Sequence, residues 1–138
     1  MKYEGRCLCG EISYICSGEP VFQFNCHCRD CQRSTGAAYA PIMFFQRKDI
    51  HINGNLKFYE SKGGSGKVIS RGFCPSCGAQ IVGDVEDASP LLSIRPGTLD
   101  DTDSYRPSAN VYTAHAASWD AMDPTLPKFA AMPPRKGA

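Results

Sequence analysis

The amino-acid sequence predicts an all-β fold with little helix. Thirteen glycines and ten prolines in 138 residues favour frequent turns over long helices. Apolar and polar residues alternate in short runs, most clearly over Glu11–Cys16, as expected for half-buried strands. Asn53-Gly54 stands between two apolar runs and is a strong signal for a two-residue β-turn.

The predicted strands follow one another along the chain with short turns between them. After Glu11–Cys16 they are Val21–Phe24, Tyr39–Phe45, a hairpin over Asp49–Glu60, Val68–Phe73, Ala79–Val85, Leu91–Ile94 and Asn110–Thr113. Because Pro41 has no N–H to donate, we expect its strand to lie at an edge of the sheet. Helical turns are expected at Arg29–Ser34 and at Ser118–Met122, the second capped by Ser118.

Length and charge limit the classes of protein that fit this chain. We expect one domain over residues 1–138, with an irregular, proline-rich tail over 124–138. The formal net charge of +1 provides no field to recruit nucleic acid or an anionic membrane. No apolar run approaches the roughly 20 residues that span a bilayer, and the N-terminus lacks a signal-peptide pattern. We therefore expect a cytoplasmic protein, monomeric or weakly homo-oligomeric.

Seven of the eight cysteines fall into three tight clusters. The clusters are Cys7-X-Cys9, Cys26-X-Cys28-X-X-Cys31 and Cys74-X-X-Cys77. Cysteines one or two residues apart seldom reach disulfide geometry with each other, and a reducing compartment disfavours disulfides. A turn can instead aim two thiolates at one small cation, so the clusters are interpreted as metal ligands.

The cysteine count suggests two zinc sites of different kinds. The paired motifs supply four thiolates (Cys7, Cys9, Cys74 and Cys77), which saturate a tetrahedral zinc and predict a structural site. The remaining motif supplies three (Cys26, Cys28 and Cys31), which leaves one exchangeable position, as in catalytic zinc sites. Zinc with three thiolates is a poor activator of water but suits holding an incoming thiol as a nucleophilic thiolate. The alternatives are a second structural zinc completed by Cys16 or His27, and an empty or redox-active cluster.

Other residues near these motifs receive weaker interpretations. Cys16 is expected to be a small buried hydrophobic residue, and His27 to point away from the ion, either behind the ligands or at the surface. Arg29 and Arg33 flank the open site, where they could offset its negative charge or bind a substrate carboxylate; a solvated basic turn is the alternative. The other two histidines, His51 and His115, are expected to be surface or core residues. Trp119 and Phe129 are expected to pack the C-terminal segment onto the sheet.

Five stretches carry a family pattern: Gly5–Gly10, Cys26–Gly36, Arg71–Ala79, Trp119-Asp120 and Leu126–Phe129. In order and spacing they resemble the glutathione-dependent formaldehyde-activating enzyme family, also called the S-(hydroxymethyl)glutathione synthase-like family. The resemblance implies a β-tent, in which antiparallel sheets stack around a structural zinc. It also implies that the paired motifs hold this zinc and that the central motif holds a second, catalytic zinc.

The resemblance further implies a carbon–sulfur lyase that joins glutathione to formaldehyde. The first hypothesis is therefore an enzyme whose zinc at Cys26, Cys28 and Cys31 receives a small thiol, which then attacks an aldehyde carbon. The second hypothesis is a non-catalytic binding or thiol-sensing module in which both zinc ions are structural. Neither hypothesis involves nucleic acid or a membrane.

Overall fold

Ten short strands and one α-helix form within residues 3–88 and 90–133, which are the residues that the computed structural model describes. The strands are β1 (Glu4–Arg6), β2 (Ser13–Cys16), β3 (Phe22–Cys26), β4 (Ala40–Gln46), β5 (Ile50–Asn53), β6 (Lys57–Lys62), β7 (Val68–Phe73), β8 (Gln80–Val85), β9 (Leu91–Ile94) and β10 (Asn110–Val111). The helix α1 spans Arg29–Thr35. Single turns of 3-10 helix lie at Arg47–Asp49, Pro96–Thr98, Thr102–Ser104 and Thr113–His115.

The strands form a small and a large sheet. The small sheet has the order β1-β2-β5 and the large sheet the order β10-β3-β4-β9-β8-β7-β6. All neighbouring strands pair antiparallel except β10 and β3, which pair in parallel. This confirms the prediction of an all-β fold with stacked sheets and little helix. No helix in the described residues is long and apolar enough to span a bilayer.

The central strands of the large sheet are buried on both faces, as β4 shows. Successive side chains of a strand point to opposite faces. Met43 and Phe45 therefore join a core against the small sheet. Ile42 and Phe44 join a second core on the other face, with Phe24 of β3. A strand buried on both sides appears in the sequence as a continuous apolar run rather than an alternating one.

The prediction that the strand containing Pro41 is an edge strand is wrong. This strand, β4, lies between β3 and β9 inside the large sheet. Pro41 pairs with Asn25 of β3, but β9 pairs with β4 only from Met43 onward. Pro41 therefore lies in a part of the strand with a neighbour on one side only, where a missing N–H is tolerated.

The predicted hairpin over Asp49–Glu60 is also wrong, because its two strands belong to different sheets. Asn53 at the end of β5 pairs with Ser13 of β2, whereas β6 pairs with β7. Gly54 has φ +100°, and a Cβ at this position would lie 2.7 Å from Cδ1 of Ile12. The turn therefore packs against the start of β2 and directs the chain from one sheet to the other.

The C-terminal segment beyond the predicted helical turn packs along β10. Asn110 N–H donates to the carbonyl of Pro127, and the N–H of Phe129 donates back to Asn110, both at 2.9 Å. Phe129 packs on the second core, but Trp119 is 73% exposed, so the predicted packing of Trp119 on the sheet is wrong. Ser118–Met122 forms a turn without helix. The part of the predicted tail at 134–138 lies outside the described residues.

Candidate metal centres

The paired cysteine motifs meet in one cluster between the two sheets. Its members, the four-cysteine cluster, are Cys7, Cys9, Cys74 and Cys77, whose Sγ atoms all lie within 4.8 Å of one another. The Sγ of Cys9 lies 3.6 Å from that of Cys7 and 3.7 Å from that of Cys74. Sulfurs around a tetrahedral zinc with bonds of about 2.3 Å are about 3.8 Å apart. The donor set and its spacing therefore fit zinc.

Backbone turns direct N–H groups at these sulfurs. The N–H of Cys77 points at the Sγ of Cys74 at 3.5 Å, and the backbone N–H groups of Ala79 and then Cys9 lower the pKa of the Cys77 thiol to about 6. The glycine after each motif is left-handed, with φ +85° at Gly10 and +78° at Gly78, a conformation that glycine adopts without steric cost. The turn after Cys74 thus stabilises the thiolate of Cys77 before any ion is considered.

The four-cysteine cluster joins distant parts of the chain. Cys7 follows β1 and Cys74 follows β7, and both side chains are buried in the core between the sheets. At the surface, the hydroxyl of Ser76 donates to the Glu11 carboxylate at 2.8 Å, so the two turns also contact each other directly. A bound ion here would hold the small sheet to the large one.

The central motif forms a second cluster on the opposite face of the large sheet. Its members, the three-cysteine cluster, are Cys26, Cys28 and Cys31, and their Sγ atoms also lie within 4.8 Å of one another. Cys26 ends β3, Cys28 caps the N-terminus of α1, and Cys31 lies in its first turn. The helix, which is longer than the single predicted turn, ends at Gly36 with φ +69°. Cys28 is partly exposed, whereas Cys26 and Cys31 are buried.

One sulfur of the three-cysteine cluster is strongly favoured as a thiolate. Hydrogen bonds from the side chains of Cys26 and Cys31 lower the pKa of Cys28, and the backbone N–H groups of Cys31 and Asp30 act in the same direction. The same interaction raises the pKa of Cys26, which stays a thiol. A partly exposed thiolate beside two buried sulfurs is a donor set that suits a soft cation such as zinc.

Neither of the two residues considered as a fourth ligand joins the three-cysteine cluster. Within residues 3–88 and 90–133, no other His, Cys, Asp or Glu ligand atom belongs to the group. Cys16 is completely buried in the other core, against the small sheet, as predicted for a small hydrophobic residue. His27 lies between two of the cysteines, but its Nε2 lies 2.9 Å from Oδ2 of Asp120.

His27 connects the cysteine loop to the C-terminal segment. Its side chain is fully buried, which excludes the surface position of the two that were expected. Besides the contact with Asp120, its backbone N–H donates to the carbonyl of Val111 at 3.0 Å, and its ring lies 5.0 Å from that of Tyr39. The other two histidines, His51 and His115, are exposed.

The two arginines predicted beside the open site lie on the exposed side of α1. Arg29 and Arg33 are both exposed, and Nη1 of Arg29 donates to Oε1 of Gln32. Gln32 itself is buried and donates to the carbonyls of His27 and His115, at 2.7 and 2.8 Å. At the exposed face of the helix, a carboxylate held by either arginine would compete with water.

Sequence reasoning missed two buried arginines, of which Arg95 interacts with the charges of the three-cysteine cluster. Arg71 in β7 and Arg95 just after β9 are only 7% and 8% exposed. Burial lowers the pKa of Arg95, the charge of Cys31 opposes this effect, and nearby Arg71 lowers the pKa further. The available signal was an arginine inside the predicted strand Val68–Phe73 and another at the end of Leu91–Ile94, because strands that are otherwise apolar seldom contain an arginine without a reason.

Tyr112 is a third residue that the sequence did not single out. It has φ +54°, an uncommon conformation for a residue other than glycine. Its side chain packs on the core that contains Cys26 and Cys31; burial raises the pKa of its hydroxyl, and the charges of the three-cysteine cluster act in the same direction. A sequence gives no signal for such a backbone conformation at tyrosine.

Comparison with known proteins agrees with this geometry. Residues 2–115 match the family model described as Glutathione-dependent formaldehyde-activating enzyme. The chain belongs to this family. The match covers most of the chain and includes both cysteine clusters, so the resemblance of the cysteine motifs is confirmed. The family supports thiol–aldehyde adduct chemistry in general, and zinc fits the cysteine clusters.

Comparison with a solved structure supports the fold of this chain. A crystal structure of a Rhodobacter sphaeroides protein, determined as a structural-genomics target, aligns with a TM-score of 0.56 at 20% sequence identity. The alignment covers 71% of this chain and 88% of that one. At this identity the likeness supports the fold alone. No match was found among curated proteins.

Proposed function

We propose that this protein is a zinc-dependent carbon–sulfur lyase that forms and cleaves the adduct between a small, glutathione-like thiol and a formaldehyde-like aldehyde. Membership of the family supports the general chemistry. The observation that carries the specific proposal is the three-cysteine cluster, where three sulfurs converge and no fourth ligand from the described residues joins them. A site with three protein ligands keeps a position for an exchangeable group.

The two clusters receive different roles in this proposal. The four-cysteine cluster would hold a structural zinc, because four thiolates leave no position for substrate. The three-cysteine cluster would hold the second zinc, which, when bound, supplies positive charge and an exchangeable position that favour the thiolate form of an incoming thiol. Both roles require reduced cysteines, which is consistent with a single domain working in the cytoplasm.

The reaction itself needs only a few groups. The substrate sulfur attacks the aldehyde carbon, a carbon–sulfur bond forms, and the carbonyl electron pair moves to oxygen, which takes up the proton released by the thiol. The reverse reaction cleaves the same bond. Cys26, Cys28 and Cys31 would fix the reacting centre, and His27 would hold their loop against the C-terminal segment through Asp120. Arg29 and Arg33 stay candidates for holding a substrate carboxylate.

Exchange at equilibrium tests the enzymatic claim, because thiols and formaldehyde also combine unaided. We would measure by exchange NMR the rate at which glutathione and formaldehyde interconvert with their adduct, with and without protein. Wild type is expected to accelerate exchange, and Cys28→Ser to return it to the background rate. Cys16→Ser, which alters a buried cysteine outside both clusters, is expected to keep the acceleration. If wild type leaves the exchange at its background rate, both for glutathione and for simpler thiols, the proposal is contradicted.

The non-catalytic alternative makes a different prediction about metal. A binding or thiol-sensing module with two structural zinc ions needs a fourth protein ligand at the second site, which the described residues do not offer. Metal analysis after dialysis is expected to find one tightly held zinc and a second one that exchanges more readily. Two equally inert zinc ions would favour the alternative.

A further inference from the structure

We propose that Arg95, supported by Arg71, binds a carboxylate of the thiol substrate and so selects acidic thiols over neutral ones. The proposal rests on the proposed function, because it assigns a second binding group to the substrate of the three-cysteine cluster. It differs from the expectation from the sequence, which placed a carboxylate on the exposed residues Arg29 and Arg33.

The first observation is that two buried guanidinium groups lack an acidic partner. Neither Arg71 nor Arg95 has a carboxylate within ion-pair distance among the described residues, in contrast to the exposed Arg47, which pairs with Asp84 at 2.7 Å. The Nε atoms of both buried arginines have no hydrogen-bond partner. Buried charges are normally paired, and an unpaired one is costly. An anion from outside the protein would remove this cost.

Gly83 and Ser93 leave space for the Arg95 guanidinium and contact it. Gly83 of β8 pairs with Arg71 on one side and with Ser93 on the other, so the three residues lie in one row across the sheet. A Cβ at Gly83 would lie 3.2 Å from both Nη1 and Nη2 of Arg95. The Ser93 hydroxyl, which donates to the Gly83 carbonyl at 2.8 Å, lies 3.3 Å from Nη1 of Arg95. The Arg95 guanidinium therefore lies over Gly83, and the Ser93 hydroxyl orients it.

The metal centre and the two buried arginines carry opposite charges. Zinc with three thiolates carries a formal charge of −1, whereas Arg71 and Arg95 together carry +2. Their charges interact with each other, and that of Arg95 interacts with all three cysteines of the cluster. A substrate carboxylate would pair directly with a guanidinium, because guanidinium donors match the two oxygens of a carboxylate in geometry.

Arg95 also lines a cavity at the C-terminal end of α1, the helix that carries Cys31 in its first turn. The cavity has a volume of about 390 Å³ and lies between the C-terminal end of α1 and the turn at Gly78, a size within the range of small-molecule pockets. Thr35 lines it and donates through its hydroxyl to the carbonyl of Cys31 at 2.7 Å. Gln80 also lines it and has a buried Oε1 without a hydrogen-bond partner. The cavity therefore gives a ligand space beside the Arg95 guanidinium, at the end of the helix that carries Cys31.

A matched pair of ligands tests the proposal without relying on activity. The probes are 3-mercaptopropionate and 3-mercaptopropionamide, which share a thiol and a chain length but differ in the charge of the carboxyl end. We would measure the binding of each to the zinc-loaded protein by titration calorimetry and determine zinc content by mass spectrometry. Wild type is expected to bind the acid at least about tenfold more tightly than the amide, the scale of one charge-assisted pair.

Variants then assign the preference to a residue. Arg95→Gln is expected to remove the preference while keeping both zinc ions, and Arg95→Lys to keep part of it, because lysine retains the charge without the planar fork. Gly83→Ala, which displaces the guanidinium without changing charge, is expected to reduce it. The control Arg47→Gln removes a positive charge from an exposed ion pair and is expected to keep the full preference.

The possible outcomes separate this proposal from the proposed function. If wild type binds both probes equally, the carboxylate role of Arg95 is wrong, while thiol binding stands. The role is also wrong if Arg95→Gln keeps the preference, if Arg29→Gln or Arg33→Gln removes it instead, or if Arg95→Gln loses zinc from the three-cysteine cluster. If neither probe binds wild type, the proposed function itself fails and this proposal fails with it.

Discussion

Replacing Cys74 by serine removes one sulfur from the four-cysteine cluster and tests how far the fold depends on that site. Cys74 is completely buried in the core between the sheets, and its sulfur lies 3.7 Å from that of Cys9. A serine there leaves three thiolates and puts a hydroxyl among apolar side chains. We expect the variant to lose the structural zinc and its cooperative unfolding transition.

The expected loss of stability follows from comparing the free energy of zinc binding with the free energy of unfolding of the whole domain. Structural zinc contributes an apparent binding free energy of about 10–16 kcal/mol in small domains, and a domain of this size is stable by about 5–15 kcal/mol in total. Losing the ion therefore removes most or all of the stability. The buried hydroxyl adds only about 1–3 kcal/mol to this loss.

Cys16→Ser is the matched control, because Cys16 is equally buried in the same core but lies outside both clusters. It is expected to keep its zinc and to be destabilised by only the cost of the hydroxyl, about 1–3 kcal/mol. The assays are zinc content by mass spectrometry and thermal unfolding followed by circular dichroism. If Cys74→Ser keeps the zinc content of Cys16→Ser and unfolds at the same temperature, the structural role of the cluster is refuted.

Three further predictions follow from the geometry. Asp120→Ala leaves the buried His27 ring without its partner and is expected to destabilise the protein by about 1–3 kcal/mol in chemical denaturation. The control Trp119→Ala changes an exposed neighbour and is expected to alter the stability by no more than about 0.5 kcal/mol. Equal effects of the two substitutions would contradict the role of the pair of His27 and Asp120. Gly78→Ala forces a left-handed residue to carry a Cβ and is expected to cost about 1–2 kcal/mol and to weaken zinc retention in chelator competition; unchanged retention would contradict it. In metal-free protein at pH 6, iodoacetamide is expected to label Cys28 before Cys26 and Cys31, because its lowered pKa and partial exposure favour a reactive thiolate; peptide mapping that finds Cys26 or Cys31 labelled earlier would contradict it.

The sequence predicted well those features that depend on local spacing. The alternation of Ile12, Tyr14 and Cys16 predicted one buried face, and all three side chains are at most 1% exposed. The grouping of the cysteine motifs into sets of four and three agrees with the clusters in the structure, because one or two intervening residues already bring sulfurs to a common point.

The failures concern features that depend on which strands are neighbours. Pro41 suggested an edge strand, but a proline is tolerated in β4 because β9 pairs only further along. Asn53-Gly54 suggested a hairpin, but the turn joins two sheets. Arg71 and Arg95 come together only because β7 and β9 flank β8 at the row of Gly83. Cross-strand proximity of this kind is not encoded in local pattern.

The coordination of the second metal tests the central claim most directly. Cobalt substituted at Cys26, Cys28 and Cys31 reports its ligands through sulfur-to-metal charge-transfer absorption. The account predicts a spectrum of three sulfurs with one lighter ligand, which changes to that of four sulfurs when 2-mercaptoethanol is added. A spectrum that indicates four ligands from the protein, and that the added thiol leaves unchanged, would contradict it.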